Sequence, residues 1–446
     1  MNRFQKLAVL SCLCSAVFTS GALANSVSTT TQLNDANFNS SVNFTTPSKS
    51  NNLATITTTK ANFSSPSSTK QTMSISQSIV STSNSTMKTN TNATTKQQEA
   101  ILPTYQDVVF GQVTTKTEQA KNLHFNLYMP KDTRSPVPLL IFVHGGAWAK
   151  GTYADPLTAN QTSKSTNSAV PTHNATNHST QNNTTQNSLM AADNRSSLEV
   201  FKQVIPRGIA LASIEYRLSD EAAYPAQIYD VKGAIRYLRA HAQDYNINPN
   251  RIAISGTSAG AHLAALAATT NNNPNFEGTV GGNLEVSSEV IAAVDYYGPT
   301  DLLTMGPEMS PTLQAPEEAA LTHDSPSAKE SVLLGFDQEG QGVGVLRHLY
   351  ETQDTSSPYW PYVELALAGS PINHVSPTTP PFFIAHGGKD TLVPIAQSER
   401  FRQALLSNRI NNEYVSNSEA SHGYQGEVVN NAMIDWIVKE LTKPKA

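Results

Sequence analysis

The stretch Gly256-Thr257-Ser258-Ala259-Gly260 carries the strongest chemical signal in the chain. It follows the apolar run "RIAIS" and opens a segment rich in alanine and leucine. A Gly-x-Ser-x-Gly pattern between a strand and a helix forms a nucleophile elbow. The turn is so tight that its flanking positions must lack bulk, and it lifts the serine oxygen clear of the backbone. The helix N-terminus behind it favours developing negative charge. The chemistry expected is attack by Ser258 on an acyl carbon.

Such an attack places negative charge on the carbonyl oxygen, which needs donors. His144-Gly145-Gly146-Ala147-Trp148, directly after the apolar run "PLLIFV", is a small-residue turn able to supply backbone N–H groups. Gly146 and Ala147 are the expected donors, with the N–H of Ala259 completing the oxyanion hole. Losing one such donor costs about 10²–10³ in rate. His144 is expected to hold the turn and not to move protons.

A serine also needs a base, and the base an orienting acid. With an elbow nucleophile the chain order is Ser, then Asp or Glu, then His. Asp390 stands in "HGGKDTLVP", and His422, in "ASHGY", is the only histidine downstream of it. Asp295 and Asp301 also follow Ser258 and remain alternative acids, although each could be satisfied structurally near its own strand. His386 reads as a residue packed beneath the acid loop, and His262 as a buried residue of the nucleophile helix. No histidine or carboxylate spacing matches a metal site, and no glycine-rich patch has the lysine of a phosphate loop. No cofactor and no metal are expected.

These residues must be positioned by a framework, and the pattern around them supplies one. "DVVFGQV" and "LHFNLYMP" read as an opening hairpin. "PLLIFV", "IALASIEYR", "RIAIS", "VIAAVDYYG" and "PFFIAHG" read as strands covered on both faces. Residues 227–245 read as a helix with Ile228, Val231, Ile235 and Leu238 on one stripe. Further helices are expected from Ser258, over Ala396 to Leu406, and around Val429, Met433, Trp436 and Ile437. A short strand near Tyr414 precedes the last of these. Alternating strands and helices predict an α/β architecture, a mainly parallel sheet with helices on both faces. Residues 306–370 break the rhythm and read as a small cap insertion. Its Leu349, Tyr350, Tyr359, Trp360 and Tyr362 are expected either to line a pocket or to form the cap's own core.

Two polar tracts interrupt this framework. Residues 25–100 and 155–197 are rich in Ser, Thr and Asn and poor in apolar residues. Such segments cannot bury enough apolar surface to offset their ordering entropy, and both read as disordered, a spacer and an insertion. Residues 1–24 read as a signal peptide, with Arg3 and Lys6 before the apolar stretch Leu7 to Phe18 and a cleavage site at Ala22-Leu23-Ala24. Export to the periplasm, the cell surface or the medium is therefore expected. Both cysteines, Cys12 and Cys14, lie in that segment, so no thiol or disulfide chemistry is expected of the mature chain. With 30 Lys+Arg against 35 Asp+Glu, nothing points to a nucleic-acid partner. No other apolar run is long enough for a transmembrane helix.

Taken together, "HGGAW", "EYRLSDEAAYPAQIYDVKGAIRYLRAHAQDYNINPNRIAISGTSAGAHLAAL", "DYYGPTDL" and "PPFFIAHGGKDTLVPIAQSE" resemble the exported bacterial alpha/beta-hydrolase carboxylesterases. The resembling branch is that of bifunctional feruloyl and acetylxylan esterases, with hormone-sensitive-lipase-like esterases more distant. The resemblance covers most of residues 105–442. It implies an alpha/beta-hydrolase fold, Ser258, Asp390 and His422 as the catalytic set, and hydrolysis of small or carbohydrate-linked esters. Ala147 and Ala261 depart from residues common in relatives and bear on pocket shape. A serine peptidase or amidase of the same fold is the alternative reading. A non-catalytic adhesion or binding module is a third.

Overall fold

A computed structural model describes residues 100–131, 133–154, 197–309 and 323–444, and the backbone of 56–61. The segment read as a signal peptide, most of the one read as a spacer, and the 155–197 tract short of Ser197 lie outside the described residues.

The sheet grows from short β-branched and apolar runs. Its strands are β1 (Ile56–Ala61), β2 (Tyr105–Thr114), β3 (Ala120–Tyr128), β4 (Val137–Val143) and β5 (Ala210–Ile214). They are followed by β6 (Ile247–Thr257), β7 (Ala293–Tyr296), β8 (Phe382–Gly387) and β9 (Asn412–Asn417). The order across the sheet is β1-β9-β8-β7-β6-β4-β5-β3-β2. From β5 to β9 every neighbouring pair is parallel. The hairpin β2–β3 and strand β1 add antiparallel at the two edges. Strand β1 falls inside the segment read as a disordered spacer, so that reading misses an element. Its run Ile-Thr-Thr-Thr is β-branched, which suits a pleated strand, but the polar composition around it masks the signal.

Strand β4 shows how the core is split. Leu139, Ile141 and Val143 belong to one buried cluster, and Leu140 and Phe142 to the other. Successive strand side chains point to opposite faces, so a strand covered on both sides must be apolar throughout. Each such side chain contributes about 1.5–3 kcal/mol by leaving water. One face is covered by α1 (Ala226–Ala240) and α2 (Ala259–Thr269). The other is covered by α8 (Glu427–Thr442) together with Phe201 and Val204.

Helix α1 buries the expected stripe Ile228, Val231, Ile235 and Leu238. It ends at Ala240, short of the expected Tyr245. His241 caps it, donating from Nδ1 to the Tyr237 carbonyl at 2.9 Å, and Asn246 turns the chain with φ 53°. The described part of residues 306–370 is helical. It holds most of α3 (Met305–Glu308), then α4 (Lys329–Leu334), α5 (Val343–Thr352) and α6 (Trp360–Ala368). Tyr359 and Tyr362 pack on the buried Phe336 with ring centroids 5.0 and 4.7 Å apart. These two aromatics of the segment therefore pack with its own interior, while Tyr350 is exposed. Helix α7 (Ile395–Ser407) joins β8 to β9. No helix among the described residues is long and apolar enough to cross a membrane.

Candidate active site

Ser258 sits where β6 turns into α2, with φ 52° and ψ −124°. A non-glycine residue in that region costs about 1–3 kcal/mol and persists only where its surroundings fix it. Here its N–H donates to the Tyr296 carbonyl at 2.9 Å. Gly260 shows why the motif needs a missing side chain. A Cβ there would lie 2.1 Å from the Val143 carbonyl oxygen and 2.4 Å from that of His144. The nucleophile helix thus presses against the end of β4, which brings Ser258 beside the His144–Trp148 turn.

His422 stands on the loop between β9 and α8. Its Nε2 is 2.9 Å from Ser258 Oγ, and its Nδ1 is 2.7 Å from Asp390 Oδ2. Asp390 lies on the loop after β8. Its Oδ1 accepts from the N–H groups of Leu392 and Val393, at 2.8 and 2.9 Å. Burial disfavours its charge, yet the neighbouring His422, aided by hydrogen bonds from His386 and His422, holds the carboxyl well below the usual range. The Nε2 of His386 is 3.2 Å from Asp390 Oδ2 and 2.9 Å from the Val393 carbonyl. Its Nδ1 meets Ser398 Oγ at 2.7 Å. His386 thus backs the carboxylate directly, a contact that the reading of it as a packing residue did not foresee. The spacing of four residues between them was the available signal. The Tyr297 ring packs on that of His422, with centroids 4.7 Å apart and planes steeply tilted.

The structure brings Ser258, Asp390 and His422 into one hydrogen-bonded chain and leaves the alternative acids elsewhere. Asp295 accepts from the Gly298 N–H at 2.8 Å. Asp301 pairs with Arg400 at 2.8 Å and accepts from Leu303 N at 3.1 Å.

In the turn after β4, Gly146 has φ 113°, Ala147 53° and Trp148 55°. A Cβ on Gly146 would meet the Lys150 carbonyl oxygen at 2.0 Å. The N–H groups of Gly146, Ala147 and Ala259 donate to no backbone carbonyl among the described residues. His144 is buried, stacks on Tyr216 at 4.4 Å and donates from Nδ1 to the Gly145 carbonyl. Burial pushes it down to about 4, so it is neutral and structural. His262 lies one turn into α2 and bonds through both ring nitrogens, to Trp148 and to the Gly369 carbonyl. At Thr257, the residue before Ser258, is a small cavity whose lining includes Phe201, Tyr296, Tyr297, Gln425 and Asn430. Among the described residues, Thr257 Oγ1 and Gln425 Oε1 are buried there without a hydrogen-bond partner.

A nucleophilic hydroxyl, a base within reach, an oriented acid and unengaged N–H groups at a helix start form the set required for acyl transfer. Comparison with known proteins agrees in kind. The family model described as BD-FAE matches residues 184–338 and 356–405. The chain is 32% identical over 198 residues to a probable carboxylic ester hydrolase, LipM, of Mycobacterium tuberculosis, covering 44% of this chain and 38% of that protein. It is 34% identical over 206 residues to the esterase LipQ of the same organism, covering 46% and 40%. The chain thus spans about two fifths of the length of these relatives. A truncated carbohydrate esterase from gut microbiota superposes with a TM-score of 0.54 at 25% identity, over 78% of this chain and 99% of that one.

Proposed function

We propose that this chain, an alpha/beta hydrolase in fold, is a serine esterase that cleaves carboxylic esters through an acyl-enzyme on Ser258. The observation that carries this reading is the hydrogen-bonded chain Ser258–His422–Asp390 on a strained elbow. His422 Nε2 takes the Ser258 proton as Oγ bonds to the acyl carbon. The carbonyl oxygen becomes an oxyanion facing the N–H groups of Gly146, Ala147 and Ala259. His422 then returns its proton to the departing alkoxide, and the alcohol leaves. Water repeats the sequence: His422 takes its proton, the hydroxide adds to the acyl carbon, and Ser258 leaves reprotonated with release of the acid. Asp390, fixed by Leu392 N, Val393 N and His386, keeps the imidazole in the useful tautomer and stabilises its charged form.

Small or carbohydrate-linked esters are the proposed substrate class. Its support is the likeness to a carbohydrate esterase at 25% identity and the BD-FAE match. A panel of p-nitrophenyl acyl esters, acetylated oligosaccharides and aminoacyl anilides tests it. Ester turnover that vanishes in Ser258→Ala, by about 10⁶-fold, is the expected result. Anilide cleavage without ester cleavage would transfer the site to amide chemistry. A folded Ser258→Ala protein with more than a percent of activity would place the nucleophile elsewhere.

The protein is further proposed to be exported, its first 24 residues serving as signal peptide, by the charge and hydropathy pattern of that segment. The secreted or periplasmic form should then begin at Asn25 when its N-terminus is sequenced. Retention of Met1 on the exported protein would remove this reading.

A further inference from the structure

The His144–Trp148 turn carries an unusual conformational load. Ala147 and Trp148 both lie in the left-handed region, at φ 53° and 55°. A bulky residue at positive φ is an outlier, and each such residue costs about 1–3 kcal/mol unless its surroundings hold it. Backbone bonds hold part of the turn. Ala149 N and Lys150 N donate to the Gly146 carbonyl, and Ser219 N donates to that of Trp148. The Trp148 side chain is held separately. It is buried, and its indole Nε1–H donates to His262 Nδ1 at 3.1 Å. The two rings meet edge-on, 5.2 Å apart at 87°.

The other nitrogen of His262 fixes which way this bond runs. Nε2 lies 2.6 Å from the Gly369 carbonyl oxygen. A carbonyl can only accept, so the ring proton sits on Nε2. Burial pushes His262 down to about 4 against the pull of that carbonyl, leaving one ring proton at neutral pH. Nδ1 is then a lone pair, and an indole N–H can only donate to it. His262 also stands on α2, one turn beyond Ser258, and its backbone N–H donates to the Ser258 carbonyl at 3.0 Å. One side chain therefore ties the oxyanion turn to the nucleophile helix and to the end of α6.

We infer that His262 is a positioning residue: by accepting from Trp148 it holds the strained turn so that the Ala147 N–H faces the oxyanion. The inference rests on the acyl-transfer reading of Ser258. A buried histidine that only fills the core would lower stability when replaced. A positioning histidine must also lower the rate of steps that build an oxyanion, while substrate affinity stays put.

Substitutions separate the two nitrogens. Asn approximates the Nδ1 position of histidine and can still accept from Trp148. Gln approximates Nε2 and can reach Gly369 but not the indole. Trp148→Phe keeps the buried ring and removes only the N–H. Each variant is checked for folding by circular dichroism. It is then assayed for reaction with a fluorophosphonate, which modifies Ser258 whatever the natural substrate, and for turnover of p-nitrophenyl acetate. Trp148→Phe and His262→Gln should each lower the fluorophosphonate rate constant and kcat by about 10–100-fold, less than the about 10²–10³ that follows outright loss of an oxyanion donor. KM should stay within about threefold. The double variant should be no slower than the worse single one, and His262→Asn should stay within about threefold of wild type. Equal losses in His262→Asn and His262→Gln, or unchanged rates in folded Trp148→Phe, would overturn the inference. Should His262→Gln fail to fold, Trp148→Phe against His262→Asn decides it alone. A wild-type protein that reacts with fluorophosphonate but cleaves no ester would sink the ester reading and leave this one to the labelling rates. A wild type that is not labelled at Ser258 would overturn both.

Discussion

Asp295 is the third residue of β7, paired with Gly256 of the elbow; it is fully buried, and one of its two carboxylate oxygens finds no partner among the described residues. Burial pushes it up to about 7. In the unfolded chain the same carboxyl ionises near 3.9. Between those values the folded state binds more protons, so its contribution to stability falls as pH rises from about 4 to 7. Asp295→Asn removes the buried charge and keeps the acceptor for Gly298 N. The variant should melt several degrees above wild type at pH 8 and lose most of that advantage near pH 4. It should also keep its esterase rate, whereas Asp390→Asn should lose about 10⁴-fold in kcat. A collapse of Asp295→Asn with a near-normal Asp390→Asn would exchange the two acids. The sequence ranked Asp390 ahead of Asp295 and Asp301 from its place after a late strand. What it left open was the bonding of each carboxylate, because a hydrogen bond between residues far apart in the chain leaves no periodic trace. The contact of His386 with Asp390 went unread for a related reason: it forms where β8 gives way to a loop, and a spacing of four residues across such a junction does not by itself say which side chains meet.

At the scale of elements, the strands and helices that place the site were legible because their signals are local. A strand buried on both faces must be apolar at every position, and β4 is buried almost throughout. Helix α1 declares itself by its stripe, yet its other side holds something the stripe does not announce. Lys232 and Arg236 are buried, and both pair with Glu277, at 3.0 and 2.6 Å. Lys232 also donates to the Thr270 carbonyl at the end of α2. Burial pushes the Lys232 ammonium down, and Glu277 opposes that shift. Burial likewise disfavours charge on Glu277, but bonds from Ser288, Lys232 and Arg236 hold its carboxyl below the usual value. Removing one partner of such a cluster leaves charge uncompensated in the interior, which costs about 3–5 kcal/mol when fully buried. Glu277 is partly exposed, so Glu277→Gln should destabilise by about 2–3 kcal/mol in urea denaturation. Since Glu277 folds at a depressed pKa, its stabilisation is present above the unfolded value and is lost as pH falls through the folded one. The difference between variant and wild type should therefore shrink in acid. A variant as stable as wild type at pH 7 would mean that Lys232 gives up its proton instead of remaining a buried charge.

At the scale of the molecule, the chain inserts a long polar tract directly after the His144–Trp148 turn and the few residues that follow it. The turn ends in described residues at Ala154, and the chain is described again from Ser197. Loop-closure entropy grows only logarithmically with length, so a long insertion costs little extra beyond a short loop. Replacing residues 155–196 by a short Gly/Ser linker should thus shift the melting temperature by no more than a few degrees. The tract's neighbours make activity the more informative readout. Tyr153 stacks on His124 and donates to Asp107, holding the near end of the tract on the β2–β3 hairpin. Ser197 and Phe201, at the far end, line the cavity next to Thr257. A linker attached between these anchors leaves both in place, so p-nitrophenyl acetate turnover should survive. Turnover of bulky or polymeric esters is the measurement that tests whether the insertion touches substrate. A loss confined to large esters would assign it to the rim of the site. A fall of ten degrees or more in melting temperature would instead show that the tract packs on the domain, against the reading of its composition.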